Sequence, residues 1–552
     1  MKVLKTNVMV LLIAVYVFGQ NVEAASLPNT PASETKTYTE RIQSAPGKTL
    51  YIDRTQAHIL IEGANQNEIV AEASVEIGEA PQEVIEKFFS NSKLVLEPYR
   101  DGFKLQLRSP QERFSRGRKS GLDRFFSGLF DDDDFHLSLH TEIKITVPNR
   151  QSLDIKNKYG DISIENVSGE LEIRNQSGEV IIERSGGALS IDNSYAAIEV
   201  QDFNGDVAVK NSSGTVYLSN VSGNARVDNS YKAVEFQNIG GSMHVDSQSA
   251  EILGRKVDRD CIVTSSYKPI KISDVGGKLS IDGQSSPVNV SNVRHGVTIE
   301  SSYKTIKVDS VRGAVKIISQ SSPVAVSKVT SDVSIRTSYK SIRVEEISGK
   351  LEIDGGSCPV FIRDIDGDVE IRSSYKEIVA ENLGGSLDIN GSSSAVYAND
   401  VAKGVSILSS YKPIRVEKIG GDLEVSGSSC SVTADGIGGD VDITNSYKYV
   451  ILKGTSGSIR VRGDSSPIEV SDIEKLPDDS RIELLTNYKP ITLYLPENAD
   501  VAISAHTQYG KIRSDFPIYL TDEKDKSHKI ETAKGQIVVR LETSKDIVIR
   551  KD

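Results

Sequence analysis

The amino-acid sequence predicts an all-β fold: a parallel β-solenoid, like a β-helix or β-roll, built from 18-residue coils that each contain two short strands. A tyrosine returns at a 36-residue interval, at Tyr159, Tyr195, Tyr231, Tyr267, Tyr303, Tyr339, Tyr375, Tyr411 and Tyr447. A serine stands halfway along each interval, at Ser177, Ser213, Ser249, Ser285, Ser321, Ser357, Ser393, Ser429 and Ser465. The repeat is therefore an 18-residue unit with a 36-residue superperiod, and such strict repetition is typical of stacked units that bury one another's apolar faces.

Each unit divides into two nonapeptides, and each nonapeptide predicts one strand followed by one turn. Apolar pairs recur every nine residues, at Ile270 and Ile272, Leu279 and Ile281, Val288 and Val290, and Val297 and Ile299. Each pair has the two-residue alternation of a strand with one buried face, and glycines between the pairs permit turns. A further apolar residue, Val275 or Val293, is expected to fill a corner of the coil.

The dimensions of extended chain favour two strands per coil over four. A 36-residue coil would have a perimeter of about 120 Å around a space that Val and Ile could not fill. An 18-residue coil leaves two short faces about 10 Å apart. We therefore expect roughly 17 coils from about residue 153 to 470, stacked at about 4.8 Å and wound right-handedly, the default for parallel crossovers.

The rest of the chain predicts a leader and two flanking regions. Residues 1–24 have the basic start, short apolar run and small-residue end of a signal peptide, so we expect export. Residues 25–150 predict an N-terminal cap of strands with one helix at Pro81–Phe89 and a charged insertion at 109–134. The repetitive solenoid occupies 151–475, and 476–552 predicts a C-terminal β cap, because a stack of coils needs covered ends.

Net charge and cysteine spacing exclude some classes of interaction. A net charge of −12 would repel phosphate backbones, so we expect no nucleic-acid partner. Cys358 and Cys430 lie four coils apart, about 19 Å along the stack, which is too far for a disulfide. Cys261 occupies an apolar strand position and is expected to be a small buried hydrophobe. No disulfide is predicted.

No pattern predicts a catalytic, metal or cofactor site. The turns lack the Gly-Gly-x-Gly-x-Asp pattern of calcium-binding β-rolls. His136 and His140 would lie about 13 Å apart on a strand, too far to share a metal. Asp258 and Asp260, in the least regular coil, could form a carboxylate pair, but their spacing does not show the two differently tuned carboxylates that glycoside hydrolysis needs.

The tyrosines and the lysines that follow them predict a binding surface. Tyrosines that alternate with serines at one coil position would lie about 9.6 Å apart. The candidate ligand-binding residues are Tyr231, Lys232, Tyr267, Lys268, Tyr303, Lys304, Tyr339, Lys340, Tyr375, Lys376, Tyr411 and Lys412. Two interpretations stay open. Each ring could pack over the space above a serine, or rings and ammonium groups could form a ladder that binds an extended anionic or carbohydrate polymer.

The insertion predicts a second contact surface. Leu122, Phe125, Phe126, Leu129 and Phe130 fall on one stripe of a helix. Such a helix, with basic residues before it and acidic residues after it, suits a reversible contact with a partner protein or a membrane surface. The alternative is a flexible charged loop whose phenylalanines pack on the cap.

Several short motifs resemble those of a known family. They are Val147-Pro148, Tyr159-Gly160-Asp161-Ile162, the repeated Val-x-Gly-x-Leu-x-Ile coils and the stretch from Gly510 to Pro517. Together they resemble the adhesin-like DUF4097 family of unknown function, over most of the mature chain. The resemblance implies a bacterial surface or envelope protein with a repetitive β fold and no associated catalytic residues. Some similar proteins take part in envelope stress signalling.

Three function classes follow from these patterns. The first is an exported, non-enzymatic, adhesin-like solenoid, in the periplasm or at the outer cell surface, that offers an extended binding or structural surface to an envelope polymer, a carbohydrate or a surface protein. The alternative is a regulatory envelope-stress protein whose insertion contacts a membrane partner. The least favoured class is a polysaccharide-acting enzyme.

Overall fold

The computed structural model describes residues 32–45, 47–110, 138–473, 476–517, 519–524, 527–531 and 535–552. The chain forms two compact units, one within Met1–Tyr38, Ala73–Leu94 and Leu107–Thr141 and the other within Thr39–Glu72, Val95–Gln106 and Glu142–Asp552. The expected signal peptide lies outside the described residues. So do residues 111–137 and with them the five apolar residues predicted for the insertion.

The N-terminal elements are strands and one helix, which lies where the sequence predicts it. In chain order they are β1 Ala32–Gln43, β2 Thr49–Thr55, β3 His58–Ala64, β4 Glu68–Ala80, α1 Gln82–Ser90, β5 Lys93–Tyr99, β6 Gly102–Arg108 and β7 Leu139–Pro148. Pro81 is the N-cap of α1, where its missing N–H costs no hydrogen bond. The helix buries Val84, Ile85, Phe88 and Phe89 on one side. Within this unit the Tyr38 hydroxyl donates a hydrogen bond to the Phe89 carbonyl at 3.3 Å.

The solenoid strands alternate between two parallel sheets, which we call face A and face B. They are β8 Ser152–Asn157, β9 Ile162–Glu165, β10 Leu171–Arg174, β11 Val180–Glu183, β12 Gly186–Asn193, β13 Ile198–Asn211, β14 Val216–Val221, β15 Ala225–Asn229, β16 Val234–Ile239, β17 Met243–Ser247, β18 Ile252–Val257, β19 Cys261–Thr264, β20 Ile270–Val275, β21 Leu279–Gln284, β22 Val288–Val293, β23 Val297–Ser301, β24 Ile306–Val311, β25 Val315–Ile318, β26 Val324–Val329, β27 Val333–Arg336, β28 Ile342–Ile347, β29 Leu351–Gly356, β30 Val360–Ile365, β31 Val369–Ser373, β32 Ile378–Leu383, β33 Leu387–Ser392, β34 Val396–Val401, β35 Val405–Ser409, β36 Ile414–Ile419, β37 Leu423–Ser426, β38 Val432–Ile437, β39 Val441–Ser446, β40 Val450–Thr455, β41 Ile459–Asp464 and β42 Ile468–Ser471. β8 belongs to face B and β9 to face A, and the following strands alternate in the same order. The long strand β13 contributes its first half to face A and its second half to face B.

Strand pairing confirms the predicted fold class. On face A Ile270 pairs with Val288, and on face B Cys261 pairs with Leu279, so partners are separated by one 18-residue coil and run parallel. From β8–β9 to β41–β42 this gives 18 coils with two strands each. Apart from register shifts at strand ends, such as Gln284 with Ser301, each strand residue therefore lies directly above the equivalent residue of the coil before it, and the backbone hydrogen bonds run along the stack.

The core is filled by the inward residues of both faces. Ile270, Ile272, Leu279 and Ile281 are each no more than 2% exposed, and the predicted corner residue Val275 is 1% exposed. The Ile and Val side chains of successive coils thus form continuous apolar columns.

One pair of core residues departs from the column pattern. Gly254 takes the place of a large core residue on face A, and Phe236 of the preceding coil fills the space: a Cβ on Gly254 would lie 2.2 Å from the Phe236 ring. Volume is thereby conserved across two adjacent coils, as close packing requires.

The corner from face A to face B is formed by a left-handed residue in each of the 18 coils. These residues have φ between 46° and 72° and are Asn166, Arg184, Asp202, Asn220, Asn238, Lys256, Asp274, Asn292, Ser310, Lys328, Glu346, Asp364, Asn382, Asp400, Lys418, Gly436, Gly454 and Asp472. The left-handed residue is left out of the strand pairing, so that Ser273 pairs with Ser291 and Val275 with Val293 while Asp274 is skipped. Asn and Asp are frequent here because their short polar side chains tolerate this backbone conformation. The kink turns the next apolar residue into the core.

The corner from face B to face A is held by a column of buried polar side chains. Asn229 is 3% exposed, and its amide nitrogen donates hydrogen bonds to the carbonyls of Gly214 in the coil before, at 3.2 Å, and of Lys232 in its own coil, at 2.7 Å. Asn445 bonds in the same way to Cys430 and Lys448, and the Ser265 hydroxyl donates to the Ala250 carbonyl. These bonds satisfy corner carbonyls that no strand partner reaches.

One coil at each end of the stack is inserted out of chain order. The C-terminal strands are β43 Arg481–Thr486, β44 Ile491–Leu495, β45 Val501–Thr507, β46 Ile512–Ser514, β47 Tyr519–Lys524, β48 Ser527–Glu531, β49 Ile537–Thr543 and β50 Ile547–Lys551. β49 pairs with both β43 and β45, and β50 with both β44 and β46, so the last coil of the chain lies between two earlier ones. Likewise β2 pairs with β6 and β8, and β3 with β7 and β9. Terminal strands paired on both edges are protected from fraying.

Near the C-terminus one coil is five residues longer than the others, and the extra residues lie in a loop. Ile459 of β41 pairs with Ile482 of β43 across a 23-residue interval, whereas earlier partners are separated by the ordinary 18-residue coil. The pairing on face B therefore continues without interruption. β48 then adds to the edge of β45 in antiparallel fashion, which covers that edge strand.

The three cysteines are free thiols and are buried, as the sequence predicts for Cys261. Cys261 lies in the core of face B between Met243 and Leu279. Burial raises the pKa of the Cys261 thiol from 9.0 to about 12 and that of the Cys358 thiol to about 11. Burial also raises the pKa of the Cys430 thiol. The neutral thiol is therefore the form that all three keep in the folded protein.

We expect the three thiols to resist aromatic disulfide reagents in the native protein at pH 8, because neither the thiolate nor access is available. Titration with such a reagent should detect almost no thiol without denaturant and all three thiols in about 6 M guanidinium. A guanidinium concentration of this order unfolds even hyperstable proteins. Rapid reaction of one thiol in the native protein would contradict the packing of its coil.

We expect Asn229→Ala to destabilise its corner by about 1–3 kcal/mol, because two buried carbonyls lose their donor. Hydrogen exchange of the backbone amides between residues 226 and 236 should accelerate accordingly. The matched control Asn289→Ala, at an exposed position of face A, should change stability by less than about 0.5 kcal/mol. Equal exchange in Asn229→Ala and the parent protein would show that the buried amide does not hold the corner.

Candidate binding surface at one corner of the coils

The repeated tyrosines lie at the corner where each coil passes from face B to face A. In the coil of Tyr267, β19 on face B ends at Thr264 and β20 on face A begins at Ile270. The tyrosine and the following lysine therefore lie in the turn, and the serine of the next coil takes the equivalent place. We call the nine tyrosines together with Lys232, Lys268, Lys304, Lys340, Lys376, Lys412 and Lys448 the tyrosine–lysine ladder.

The ladder tyrosines point into solvent. Their exposed fractions range from 49% at Tyr159 to 72% at Tyr339. Among the described residues no aromatic contact joins two ladder rings. Exposure of this size favours the interpretation of a row of solvent-exposed rings over the one in which each ring is covered by packing above a neighbouring serine.

Six successive ladder tyrosines adopt a backbone conformation that bulky residues avoid. Tyr267, Tyr303, Tyr339, Tyr375, Tyr411 and Tyr447 have φ between 65° and 68°. A non-glycine residue in the left-handed region stores on the order of 1–3 kcal/mol, and Gly or Asn adopts it more easily. Of these six, only the Tyr303 hydroxyl has a hydrogen bond within the described chain, to Gln320 Oε1 at 2.5 Å. The folded chain thus gains little from tyrosine at these positions.

The ladder lysines form a row of positive charge without carboxylate partners. All seven are exposed, and among the described residues none has an acidic oxygen within 4.0 Å. By contrast, most arginines of the solenoid are paired, as Arg343 is with Glu345 at 2.8 Å. One coil away, the position equivalent to the lysine holds a small buried residue such as Ser286, Ser322 or Cys358. The lysines are therefore separated by two coils, about 9.6 Å.

A second row of cations runs beside the ladder on face A, and the sequence-based prediction missed it. Three residues after the ladder lysines stand Lys271, Lys307, Arg343 and Arg415. Each is on an outward strand position of face A, and three of them contact acidic residues: Glu251, Glu345 and Glu417. The spacing Tyr-Lys-x-x-Lys/Arg was visible in the sequence, but only the two-strand coil places both cations on one side of the corner.

Of the two acidic residues considered for catalysis, Asp260 has a structural partner. Asp260 Oδ1 accepts a hydrogen bond from the backbone N–H of Lys278 in the next coil at 2.8 Å. Asp206 and Asp332 do the same for their following coils. Asp260 therefore belongs to a repeated corner contact, and Asp258 lies exposed two residues away. Within the described chain no three His, Cys, Asp or Glu side chains come together as metal ligands.

In the part of the chain that the structure describes, no helix has both the length and the apolar character needed to cross a membrane.

Comparisons with known proteins identify no family. No family model matches the chain, and no curated protein matches it. Two solved structures resemble parts of it. One is a "putative adhesin" from Bacteroides fragilis, with 11% identity and a TM-score of 0.19 over 53% of this chain and 96% of that chain. The other is a "putative lipid binding protein" from Parabacteroides distasonis, with 12% identity and a TM-score of 0.13 over 72% of this chain and 96% of that chain. Likenesses of this size support no inference about function.

Proposed function

We propose that the protein is an exported, non-enzymatic β-solenoid whose tyrosine–lysine ladder binds an extended, negatively charged polysaccharide in the cell envelope. One observation carries the proposal: six exposed tyrosines are held in a left-handed conformation that disfavours tyrosine. Strained residues persist where they serve a function, and here packing does not account for them. Export and an envelope location rest on the leader-like residues 1–24.

The tyrosines provide stacking platforms for sugar rings. A phenol ring combines a large apolar face with a polar hydroxyl and loses little entropy when it is immobilised. The pitch of the ladder, about 9.6 Å, is close to the length of one disaccharide in an extended β-1,4-linked glycan. Each tyrosine can therefore meet the same face of every second sugar, without bending the glycan.

The lysines provide the charge complement. One unpaired ammonium group accompanies each tyrosine from Tyr231 onward, and the second row on face A adds Lys307, which has no acidic partner within 4.0 Å among the described residues. A glycan with one acidic group per disaccharide would place its charges at the spacing of the lysines. Many weak contacts along one chain then add through avidity, so an extended polymer binds better than its fragments.

The absence of enzymatic activity is part of the proposal. Asp260 Oδ1 is engaged by the Lys278 backbone N–H, as the equivalent aspartates of other coils are engaged by theirs. The ladder itself consists of tyrosines and lysines, without a carboxylate that could act as acid or base. The regulatory alternative depends on residues 122–130, which lie outside the described residues, and it stays a prediction.

Replacing four ladder tyrosines by asparagine should abolish glycan binding while the fold becomes no less stable. The variant is Tyr267→Asn, Tyr339→Asn, Tyr375→Asn and Tyr411→Asn; asparagine tolerates positive φ, so on the order of 1 kcal/mol of strain is relieved at each site. Affinity for an acidic glycan polymer, measured by biolayer interferometry, should fall at least about tenfold. The melting temperature should stay equal or rise.

The matched control replaces two tyrosines on face A, Tyr217→Thr and Tyr397→Thr, with a residue that suits a strand. This variant should keep the parent affinity. Equal loss of binding in both variants, or a lower melting temperature in the asparagine variant, would show that the ladder tyrosines are structural and would overturn the proposal.

Removal of the ladder charge should weaken the binding of acidic glycans and leave the binding of neutral glycans unchanged. We expect Lys304→Gln, Lys340→Gln and Lys376→Gln together to weaken binding of an acidic polymer at least about tenfold at low salt, through loss of charge-assisted contacts. Binding of its carboxyl-reduced, neutral counterpart should be unchanged. A parent protein that prefers the neutral polymer would contradict the assigned charge of the ligand.

A further inference from the structure

A basic groove lies at the opposite corner of the solenoid from the tyrosine–lysine ladder. Five exposed cations line it: Arg255, Lys256, Arg294, Arg312 and Lys328. The groove has a volume of about 850 Å³ and extends over the coils that contain residues 255–330. We call it the basic groove. It belongs to the corner from face A to face B, and Lys256 and Lys328 are two of the left-handed residues of that corner.

Two arginines make this corner different from the rest of the solenoid. Arg294 and Arg312 occupy a coil position that is otherwise short, with residues such as Ser222, Gly240 and Ala402. The coil before Arg294 has Gly276 at this position, and Gly276 also lines the groove. Long cationic side chains thus project from a corner that elsewhere consists of small residues.

The charges of the groove are not neutralised from within. Two acidic residues line it, and one of them, Asp274, is already engaged by Arg255 at 3.6 Å and by the amide of Asn292 at 3.0 Å. Among the described residues, neither Arg294 nor Arg312 has an acidic oxygen within 4.0 Å. The groove therefore holds a net positive charge in a chain whose formal net charge is −12.

The stacking of the coils makes this arrangement costly in the free protein. Arg294 and Arg312 are equivalent residues of consecutive coils, so their backbones lie about 4.8 Å apart. Like charges directly opposite each other on neighbouring strands destabilise a sheet. The ladder avoids this cost by placing its lysines in every second coil, whereas the basic groove does not. A bound anion would remove the repulsion.

The hydrogen-bond donors that line the basic groove indicate which kind of anion it could bind. Two guanidinium forks one coil apart can both donate to a single tetrahedral oxyanion, whose oxygens point in several directions, while a planar carboxylate suits one fork. Lys256 and Lys328 extend the charge over four coils, about 19 Å. Ser310 and Thr330 also line the groove, but their hydroxyls already donate to Asp309 Oδ2 at 2.7 Å and to the Arg312 carbonyl at 2.8 Å. Among the described residues no aromatic side chain lines the groove, so recognition would rest on the charged guanidinium and ammonium donors.

We propose that the basic groove binds a linear polysaccharide that carries sulfate or phosphate groups. This site is independent of the ladder: it uses different residues, a different corner and a different kind of contact. The protein would then hold polymers along two opposite corners, through stacking and charge at the ladder and through oxyanion contacts at the basic groove.

The test uses the full mature protein and dextran sulfate as the probe, with uncharged dextran as the blank. The groove variant is Arg294→Gln with Arg312→Gln. The control variant, Arg336→Gln with Arg462→Gln, removes the same charge from exposed positions of face B. We expect dextran sulfate to bind the parent protein at low salt, the groove variant at least about tenfold more weakly, and the control variant within about twofold of the parent.

Stability provides a second readout. Because repulsion between the two arginines is removed, the groove variant should melt at the same or a higher temperature than the parent at low salt, and dextran sulfate should raise the melting temperature of the parent but not of the groove variant. The ladder variant with four asparagines should bind dextran sulfate as the parent does. That result separates failure of this proposal from failure of the proposed glycan binding.

Four outcomes would overturn the proposal. They are equal loss of binding in the groove and control variants, which would show a response to net charge alone; absence of binding at low salt; binding of inorganic phosphate without binding of the polymer; and binding of phosphatidylglycerol vesicles without binding of dextran sulfate, which would assign the groove to a membrane surface.

Discussion

In-register parallel stacking of 18-residue coils is the constraint on which the rest of the structure depends. Each backbone N–H and C=O of a strand finds its partner in the coil above or below, so the chain can satisfy its hydrogen bonds only if the period is kept. The same register places equivalent side chains about 4.8 Å apart along the whole stack. Equivalent residues of successive coils therefore form a column along the stack. The residue type at each position is constrained by its neighbours in this column as well as by its neighbours in the same coil.

The columns explain which residues the corners can contain. The corner from face A to face B needs one left-handed residue per coil, and Asn and Asp are common there because they accept that conformation at low cost. The opposite corner keeps its carbonyls satisfied with buried Asn and Ser side chains such as Asn229 and Ser265. Both devices turn the chain without a break in the ladder of backbone hydrogen bonds.

The columns also explain the two charged corners. Bulky or charged residues repeated in every coil would collide or repel, so alternation with a small residue is the ordinary solution. The tyrosine–lysine ladder follows it, with Tyr267 next to Ser285 and Lys268 next to the buried Ser286. Arg294 and Arg312 do not follow it, and this exception is what distinguishes the basic groove as a site from a merely solvated surface.

The repeating part of the fold follows from the order of residues alone. Apolar pairs nine residues apart predict one strand per nonapeptide and two strands per 18-residue coil. The length of extended chain excludes the alternative coil of 36 residues and four strands, because its interior could not be filled. Hence the strand positions, the parallel register, the inward Ile270 and Val275 and the burial of Cys261 all followed from the period. The lysines could be recognised as a row for the same reason, since a row is a property of the period alone.

The direction of the rings and the identity of the end coils depend on contacts that form only in the folded chain. The direction of Tyr339 depends on its φ of 68° in a turn where the Lys340 N–H donates to the Ser338 carbonyl, and the spacing of tyrosines in the sequence does not reveal this. The groove cations come from three coil positions in several coils, and they lie together only in the folded solenoid. The inserted end coils depend on which strand edges pair, and residues far apart in the chain, such as Val539 between Ile482 and Ile503, decide that by contact.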